Sequence, residues 1–106
     1  MQTEVGTLVK FQEKVWELLK KIPKGKVTTY GLIAKKLGTK AYRAVGHACH
    51  INPYFPTAAC HRVVCSDGGI GGFASGSKSK IKLLEKEGIK IKNNKIENFE
   101  NVLFKF

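Results

Sequence analysis

Apolar side chains recur along the first quarter of the chain at the spacing of one helix face: Phe11, Val15, Leu18, Leu19 and Ile22. This pattern predicts a helix that buries that face and ends at Pro23, whose ring cannot continue it. Lys24-Gly25-Lys26 indicates a turn, and Val27-Thr28 indicates a short extended segment. One amphipathic helix followed by a change of direction is therefore expected here.

Two shorter helices are expected after that turn. Thr29 is a suitable N-cap for a helix from Tyr30 to Leu37, with Gly38 after its C-terminus. Another helix fits residues 40–50 and would end before Asn52-Pro53. Two helices joined by a glycine-containing turn form a helix-turn-helix unit, a common DNA-binding element.

A β-hairpin is indicated after these helices. Val63-Val64-Cys65 and Ile70 are apolar segments on either side of the turn-forming sequence Ser66-Asp67-Gly68-Gly69. A hairpin beside a helix-turn-helix unit is how a wing is built. The predicted fold class is mainly α within α+β: a winged helix-turn-helix-like three-helix core with a short β-hairpin wing.

The last third of the chain predicts one more helix and a second hairpin. Ser77 or Ser79 is a suitable cap for a helix that reaches Lys86. Residues 89–96 then alternate around a polar turn at Asn93-Asn94. The apolar tail is expected to pack on the core or, alternatively, to form an interface with another molecule. The residues of this tail are Phe99, Val102, Leu103, Phe104 and Phe106.

Composition changes this picture mainly through charge. The 106 residues fit one compact domain, 1–106. Lysine and arginine number 19 against 8 acidic residues, a formal net charge of +11 that favours a polyanionic partner such as nucleic acid. A lysine-rich surface that reflects genomic composition or adaptation to heat is the alternative. Charge alone does not decide between them.

Cysteine usage and hydropathy indicate the compartment. Three cysteines cannot all pair within one molecule, and the first residues carry no apolar leader. No apolar run is long enough to span a membrane. We therefore expect a soluble, cytoplasmic protein of a reducing compartment, associated with the nucleoid and without a membrane partner.

The candidate chemistry lies at Cys60-His61. A thiol attacks carbon as the thiolate, and a nearby imidazole can accept its proton. Adjacent side chains often point in different directions, however, and a buried cysteine is most often a small hydrophobe. Zinc is not expected, because the cysteine and histidine spacings do not match the usual ligand pairs and a metal would block the thiol.

The segment Arg43–Ala48 has features of a contact surface. Its small residues Ala44, Gly46 and Ala48 would let a helix backbone approach a partner closely. A glycine inside a helix costs about 1 kcal/mol relative to alanine, which indicates a reason for Gly46, either packing against another helix or contact with DNA. Arg43 opposes the helix dipole at the helix start, which favours a functional role.

Five short motifs follow one another in a recognisable order. They are Arg43-Ala44-Val45-Gly46, Asn52-Pro53, Cys60-His61-Arg62-Val63, Gly71 with Phe73, and Glu87-Gly88. Together they resemble the C-terminal domain of the O6-alkylguanine-DNA alkyltransferases, and the likeness runs from about Phe11 to about Ile91. The resemblance implies DNA repair by direct, irreversible transfer of an alkyl group from O6-alkylguanine in double-stranded DNA to a cysteine, in a single turnover and without a cofactor.

The resemblance assigns catalytic roles to five residues of this sequence. Cys60 is the acceptor thiol, His61 the base that deprotonates it through a water, and Glu87 the carboxylate that holds the imidazole. Asn52 orders the active-site loop. Tyr30 helps to rotate the nucleotide and can donate a proton to the departing guanine.

The resemblance also implies a DNA-contacting surface and a substrate pocket. Arg43 would enter the base stack through the minor groove and fill the gap left by the extruded base, while Ala44 and Gly46 let the helix sit in that groove. Thr29 and Tyr30 would also contact DNA. The residues expected to line the pocket are Cys49, Val63, Ile70, Gly71, Phe73 and Ala74.

The chain departs from the family pattern in three respects. Ala59 stands where the family usually has Pro, and Phe73-Ala74 where it usually has Tyr-Ser, so two hydroxyls near the base are missing. The family's N-terminal domain has no counterpart in residues 1–106. We expect a monomer, with a separate partner chain as the alternative source of that domain.

A binding protein without catalysis is the alternative function. In length the chain resembles the alkyltransferase-like proteins, which bind alkylated DNA but have Trp or Ala in place of the nucleophile. Here that position is Cys60. A winged-helix regulator is a further alternative of the same class.

Overall fold

The computed structural model describes residues 2–55, 57–70 and 77–106. Within them lie five α-helices: α1 (Gln2–Leu19), α2 (Tyr30–Lys36), α3 (Tyr42–His50), α4 (Ser77–Lys86) and α5 (Phe99–Val102). They are joined by four two-residue strands: β1 (Thr28–Thr29), β2 (Val63–Val64), β3 (Ile91–Lys92) and β4 (Lys95–Ile96). A single 3₁₀ turn, Cys60–Arg62, precedes β2.

Helices α1, α2 and α3 form the three-helix core that the apolar pattern predicts. The Trp16 indole of α1 donates a 2.8 Å hydrogen bond to the Ala48 carbonyl of α3. This bond satisfies a polar group at an otherwise apolar contact. The first cluster of buried residues joins the three helices to the segment around the 3₁₀ turn. Its members are Val15, Leu18, Leu19, Ile22, Ile33, Ala34, Val45, Ala48, Cys49, Ala58, Cys60 and Val63.

The turn chemistry of the helix-turn-helix unit follows the prediction closely. The Thr29 hydroxyl accepts a 3.0 Å hydrogen bond from the Leu32 amide and so caps α2. Gly38 follows the end of α2 with φ of +71°, a conformation that glycine adopts without strain. Helix α3 begins at Tyr42 rather than at Lys40, because residues 39–41 form the connection between the helices.

The prediction of a hairpin around Ser66–Gly69 is wrong in its strand pairing. Val63 and Val64 pair in parallel with Thr28 and Thr29, which come from the loop after α1. The turn itself is present, since the Cys65 amide donates to the Gly69 carbonyl at 2.9 Å. Beyond the turn, Gly69 bridges to Lys95 of β4 instead of to β2. The sequence shows turn signals locally but cannot show a partner so far along the chain.

The second hairpin and the packing of the tail are confirmed. Strands β3 and β4 pair in antiparallel fashion, and Asn93 and Asn94 both have positive φ angles, as a two-residue hairpin turn requires. In the tail, the Phe104 amide donates to the Val27 carbonyl at 2.6 Å. A second buried cluster lies under α4 and this hairpin. It consists of Val27, Val64, Ile70, Leu84, Ile89 and Ile96.

None of the helices in the described ranges is both long and apolar enough to cross a membrane.

Candidate active site

Cys60 opens the 3₁₀ turn and is 8% exposed, within the first buried cluster. The parallel pairing of β2 with β1 brings this turn close to the start of α2, where Tyr30 is packed against the same cluster. The pairing therefore unites two of the predicted catalytic residues. Cys49 and Val63, predicted to line the pocket, belong to the cluster as well.

His61 is held by Glu87, the carboxylate predicted to partner it. Nε2 of His61 lies 2.9 Å from Oε2 of Glu87. Burial would raise the pKa of Glu87, but hydrogen bonds from Arg62 and His61 outweigh it and the pKa is lowered. An ionised carboxylate only accepts hydrogen bonds, so the proton of the neutral imidazole is on Nε2. Nδ1 then keeps a lone pair and can act as a base.

The imidazole is neutral at ordinary pH for a physical reason. His61 is 2% exposed, and burial lowers its pKa despite the opposing effect of Glu87. The charges of Arg62 and Lys80 contribute to the lowering. Nδ1 is buried and has no hydrogen-bond partner among the described residues. The atom that can accept a proton is thus the one that the described residues leave without a hydrogen bond.

Arg62 is a site residue that the sequence analysis did not identify. Its Nε donates to Oε1 of Glu87 at 2.8 Å, and the second terminal nitrogen donates to Oε2 at 2.6 Å. A third bond, of 2.7 Å, reaches the carbonyl of Ile22 after α1. This forked geometry keeps Glu87 ionised and oriented toward His61. The signal in the sequence was its place in the motif Cys60-His61-Arg62-Val63, for which no role of Arg62 was inferred.

Asn52 makes two hydrogen bonds within the loop before Cys60. Its amide nitrogen donates to the Ala58 carbonyl at 2.5 Å, and its amide oxygen accepts from the Tyr54 backbone at 2.9 Å. The Cys60 amide donates to the same Ala58 carbonyl at 2.9 Å. Burial is the largest influence on the pKa of the Cys60 thiol and raises it, and a hydrogen bond from Asn52 opposes this rise without reversing it. Asn52 therefore both shapes the loop and favours the thiolate.

Two further groups near the thiol keep their protons at neutral pH. Burial, followed by the charges of the neighbouring cysteines, raises the pKa of Tyr30 well above its ordinary range. Burial likewise raises the pKa of Cys49 to about 12, with Cys60 as the next cause. Tyr30 is therefore a hydrogen-bond donor, and Cys49 is an inert thiol of the core.

Lys80 of α4 is the second site residue that the sequence analysis missed. It is 0% exposed, and its Nζ donates a 2.6 Å hydrogen bond to the Val63 carbonyl. A signal was present, because Lys80 lies four residues before Leu84 and therefore on the apolar face of its helix.

The exposed face of α3 carries the residues predicted to contact DNA. Arg43 is exposed at the start of the helix, and Ala44 and Gly46 are half-buried. Apart from its chain neighbours and the backbone of its own helix, no heavy atom of the described residues would lie within 4 Å of a Cβ added at Gly46. Packing against the described residues therefore gives no reason for this glycine. Thr29 is 5% exposed and its hydroxyl caps α2, so its predicted DNA contact stays a prediction.

Not every predicted pocket residue is brought to Cys60. Ile70 is 3% exposed and packs in the second buried cluster with Val64 and Leu84. Gly71, Phe73 and Ala74 lie outside the described residues. Within the described ranges, no group of three or more histidine, cysteine or acidic side chains is placed to hold a metal ion. The cysteines at 49, 60 and 65 are all free.

Comparison with known proteins identifies the family. Residues 10–89 match the family described as "6-O-methylguanine DNA methyltransferase, DNA binding domain". A methylated-DNA–protein-cysteine methyltransferase from Methanosarcina acetivorans is 49% identical over 79 residues, 74% of this chain and 51% of the relative. The protein of the same name from Saccharolobus solfataricus is 49% identical over 81 residues, 76% of this chain and 52% of the relative.

Solved structures agree with this result. Mycobacterium tuberculosis OGT in complex with DNA has a TM-score of 0.70 and 42% identity, and the match covers 73% of this chain and 48% of that one. S. pombe Atl1 in complex with damaged DNA containing O6-carboxymethylguanine has a TM-score of 0.78 and 32% identity. That match covers 92% of this chain and 96% of Atl1.

The chain spans about half the length of the curated relatives that it matches. The matched range contains Cys60, His61 and Glu87 together with the whole helix-turn-helix unit. The fold is accordingly that of the alkyltransferase DNA-binding domains, of the α+β helix-turn-helix type. The chain belongs to the 6-O-methylguanine DNA methyltransferase family.

Proposed function

We propose that this protein repairs DNA by transferring the alkyl group of O6-alkylguanine irreversibly to Cys60. The observation that carries the proposal is the buried thiol directly followed by His61, whose Nε2 lies 2.9 Å from Glu87. A thiol with an oriented neutral imidazole beside it in sequence is the arrangement that activates a nucleophile. The family of the chain supports DNA repair as the setting.

Activation of the thiol is a proton transfer to His61. The Cys60 proton passes through a water to Nδ1, and Nε2–H continues to donate to Glu87. The imidazolium that forms is stabilised by the carboxylate, which Arg62 keeps ionised. The thiolate so produced is stabilised further by the hydrogen bond from Asn52.

The transfer step forms one bond and breaks one. Sulfur of Cys60 attacks the alkyl carbon, the bond from that carbon to O6 breaks, and its electron pair stays on the guanine. Tyr30 donates a hydrogen bond to the guanine anion, which takes up a proton from water, while His61 returns to water the proton that it took from Cys60. The thioether that remains cannot return to a thiol, so one molecule repairs one lesion. The step uses no cofactor.

DNA binding is proposed for the exposed face of α3. Extrusion of a base exposes O6, which the duplex would otherwise hide, at an energetic cost of a few kcal/mol. Arg43, exposed at the start of α3, is the side chain proposed to fill the gap. The open space around Gly46 lets the helix backbone approach the minor groove. The net charge of +11 favours the approach to a polyanion.

A non-catalytic binding protein for alkylated DNA is the second candidate. The observation in its favour is the structural match to S. pombe Atl1, with a TM-score of 0.78 against 0.70 for M. tuberculosis OGT. The presence of Cys60 with its paired His61 and Glu87 favours the transferase. The two candidates share the binding step and differ only in the chemical one.

The test of the transferase is the mass of the protein after incubation with double-stranded DNA containing O6-methylguanine. We expect one added methyl group, located on Cys60 by peptide mass. Cys60→Ala should abolish the transfer and retain binding to the lesion. Cys65→Ser, which alters the free thiol after β2, is the matched control and should leave the transfer intact. An unchanged mass together with tight lesion binding would establish the binding protein instead.

A further inference from the structure

Lys80 is an unusual residue for a protein interior. Its exposed fraction is 0%, and it heads the fully buried side chains by volume in the described part of the chain. Burying an ammonium group is unfavourable unless nearby groups compensate it. Lys82, two residues along the same helix, is exposed, as a lysine usually is. The position of Lys80 therefore calls for a specific reason.

The contacts of Lys80 lead to the segments around Cys60. Its Nζ donates to the carbonyl of Val63, the residue that follows the 3₁₀ turn. The same Nζ lies 5.9 Å from the centre of the Tyr30 ring, within the range of a cation–π interaction. Helix α4 packs against the 3₁₀ turn itself. One ammonium group thus contacts both segments that the β1–β2 pairing brings together.

We propose that Lys80 is a positioning residue of the Cys60 site. Its ammonium group fixes the backbone after the nucleophile and places a positive charge near the thiol, so that a thiolate can form within an apolar core. Lys80 acts through Cys60 and requires no contact with DNA. The purpose assigned to it rests on the proposed function, but its effect on the thiol can be measured independently.

The electrostatics agree with this geometry. The charge of Lys80 opposes the effect of burial on the pKa of Cys60, and it does the same for Cys49. Burial lowers the pKa of Lys80 to about 8, against the influence of Cys65, Cys49 and Cys60. At pH 7 the amine is therefore still predominantly protonated. The positive charge is present at the pH at which the thiolate is required.

The test compares the reactivity of Cys60 in Lys80→Met, which removes the charge at a similar side-chain volume. The readout is the rate of Cys60 carbamidomethylation by iodoacetamide, located by peptide mass, between about pH 6 and 10. For each unit by which the substitution raises the pKa of Cys60, the rate at pH 7 should fall about threefold. The thiolate fraction falls tenfold, but a more basic thiolate is also a better nucleophile and recovers part of that loss. The difference should shrink as the pH rises, because Lys80 itself loses its charge above its pKa of about 8 and because both thiols ionise.

Three further variants make the test decisive. Lys82→Met should leave the profile unchanged. Lys80→Arg retains the charge and should restore most of the rate at pH 7. The amide of Lys80→Gln can still donate to the Val63 carbonyl, so this variant should show the same pH-dependent loss as Lys80→Met. It replaces Lys80→Met if circular dichroism shows that Lys80→Met is unfolded.

The outcomes separate the two proposals. A loss that is equal at every pH, or no loss, overturns the inference and leaves Lys80 as a support of the backbone. If the pH-dependent loss is found but O6-methylguanine DNA transfers no methyl group, the proposed function fails while the role of Lys80 in tuning the thiol stands.

Discussion

At the scale of single residues, the site depends on one carboxylate that serves two partners. Glu87 accepts hydrogen bonds from His61 and, at both oxygens, from Arg62. Arg62 in turn donates a hydrogen bond to the Ile22 carbonyl, so the segment after α1 helps to orient the imidazole of His61. A glutamate on a lysine-rich helix would ordinarily be a solvated surface charge. Its role becomes visible only when its partners are placed.

Replacing Arg62 should therefore destabilise the protein as well as the site. Arg62→Met leaves Glu87, with its side chain 11% exposed, short of two charge-assisted hydrogen bonds. We expect the free energy of unfolding to fall by about 2–4 kcal/mol at pH 7, measured by urea denaturation. Arg62→Lys should recover little of this, since an ammonium group cannot form the same fork.

The control for Arg62 is an exposed ion pair of the same chain. Lys95 and Asp67 lie 3.8 Å apart with side chains 61% and 66% exposed. Lys95→Met should change the free energy of unfolding by less than about 1 kcal/mol. Equal effects of Arg62→Met and Lys95→Met would show that the fork around Glu87 adds nothing to stability.

At the scale of elements, helices α1 to α4 and the β3–β4 hairpin follow from the sequence, whereas the short helix α5 and the pairing of β1 with β2 do not. The periodicity of α1, the cap at Thr29 and the glycine after α2 are local signals, and each is where it was predicted. The pairing of β1 with β2 involves only two residues on each strand, which is too short for a periodic pattern. For Lys80, the helix spacing indicated the apolar face of α4 but not the partner, because Val63 belongs to that pairing.

Helix α3 provides a prediction in which stability and binding change in opposite directions. A methyl group at Gly46 would meet open space, so Gly46→Ala should raise the free energy of unfolding by about 0.5–1 kcal/mol. The same methyl group should weaken binding to lesion-containing DNA, measured by fluorescence anisotropy, because it separates the helix backbone from the groove.

Gly38 is the matched control for Gly46. It also has open space around it, but its φ of +71° disfavours any side chain. Gly38→Ala should therefore destabilise the protein by about 1 kcal/mol. If Gly46→Ala destabilises too, or binds DNA as well as the unmodified protein, the glycine of α3 does not serve close approach.

At the scale of the whole molecule, charge is the dominant property. A net charge of +11 on 106 residues is distributed over many exposed lysines, whose side chains can contact phosphates without reading the bases. Helix α3 itself contains no lysine. Affinity for DNA should therefore come largely from lysines around that helix, and should depend strongly on salt.

The salt dependence can be assigned to individual residues. The logarithm of the DNA-binding constant should fall with the logarithm of salt concentration by about 0.9 for each phosphate neutralised. Lys40, exposed just before α3, is expected to contact a phosphate, so Lys40→Gln should reduce the slope by about 0.9. Lys105→Gln, an exposed change in the tail, is the control. A slope unaltered by Lys40→Gln would place the contact elsewhere.

The parallel pairing of Thr28–Thr29 with Val63–Val64 also bears on the stage of folding at which Cys60 comes to differ from the other cysteines. Before these segments meet, Tyr30 and Lys80 are distant from Cys60, and the cysteines of the chain are chemically alike. Contacts between segments so far apart form late, because closing the intervening loop is entropically unfavourable. We therefore expect the environment proposed to activate Cys60 to be complete only after this pairing has formed. In a chain that has not reached this stage, Cys60 should react with thiol reagents no differently from Cys49 and Cys65.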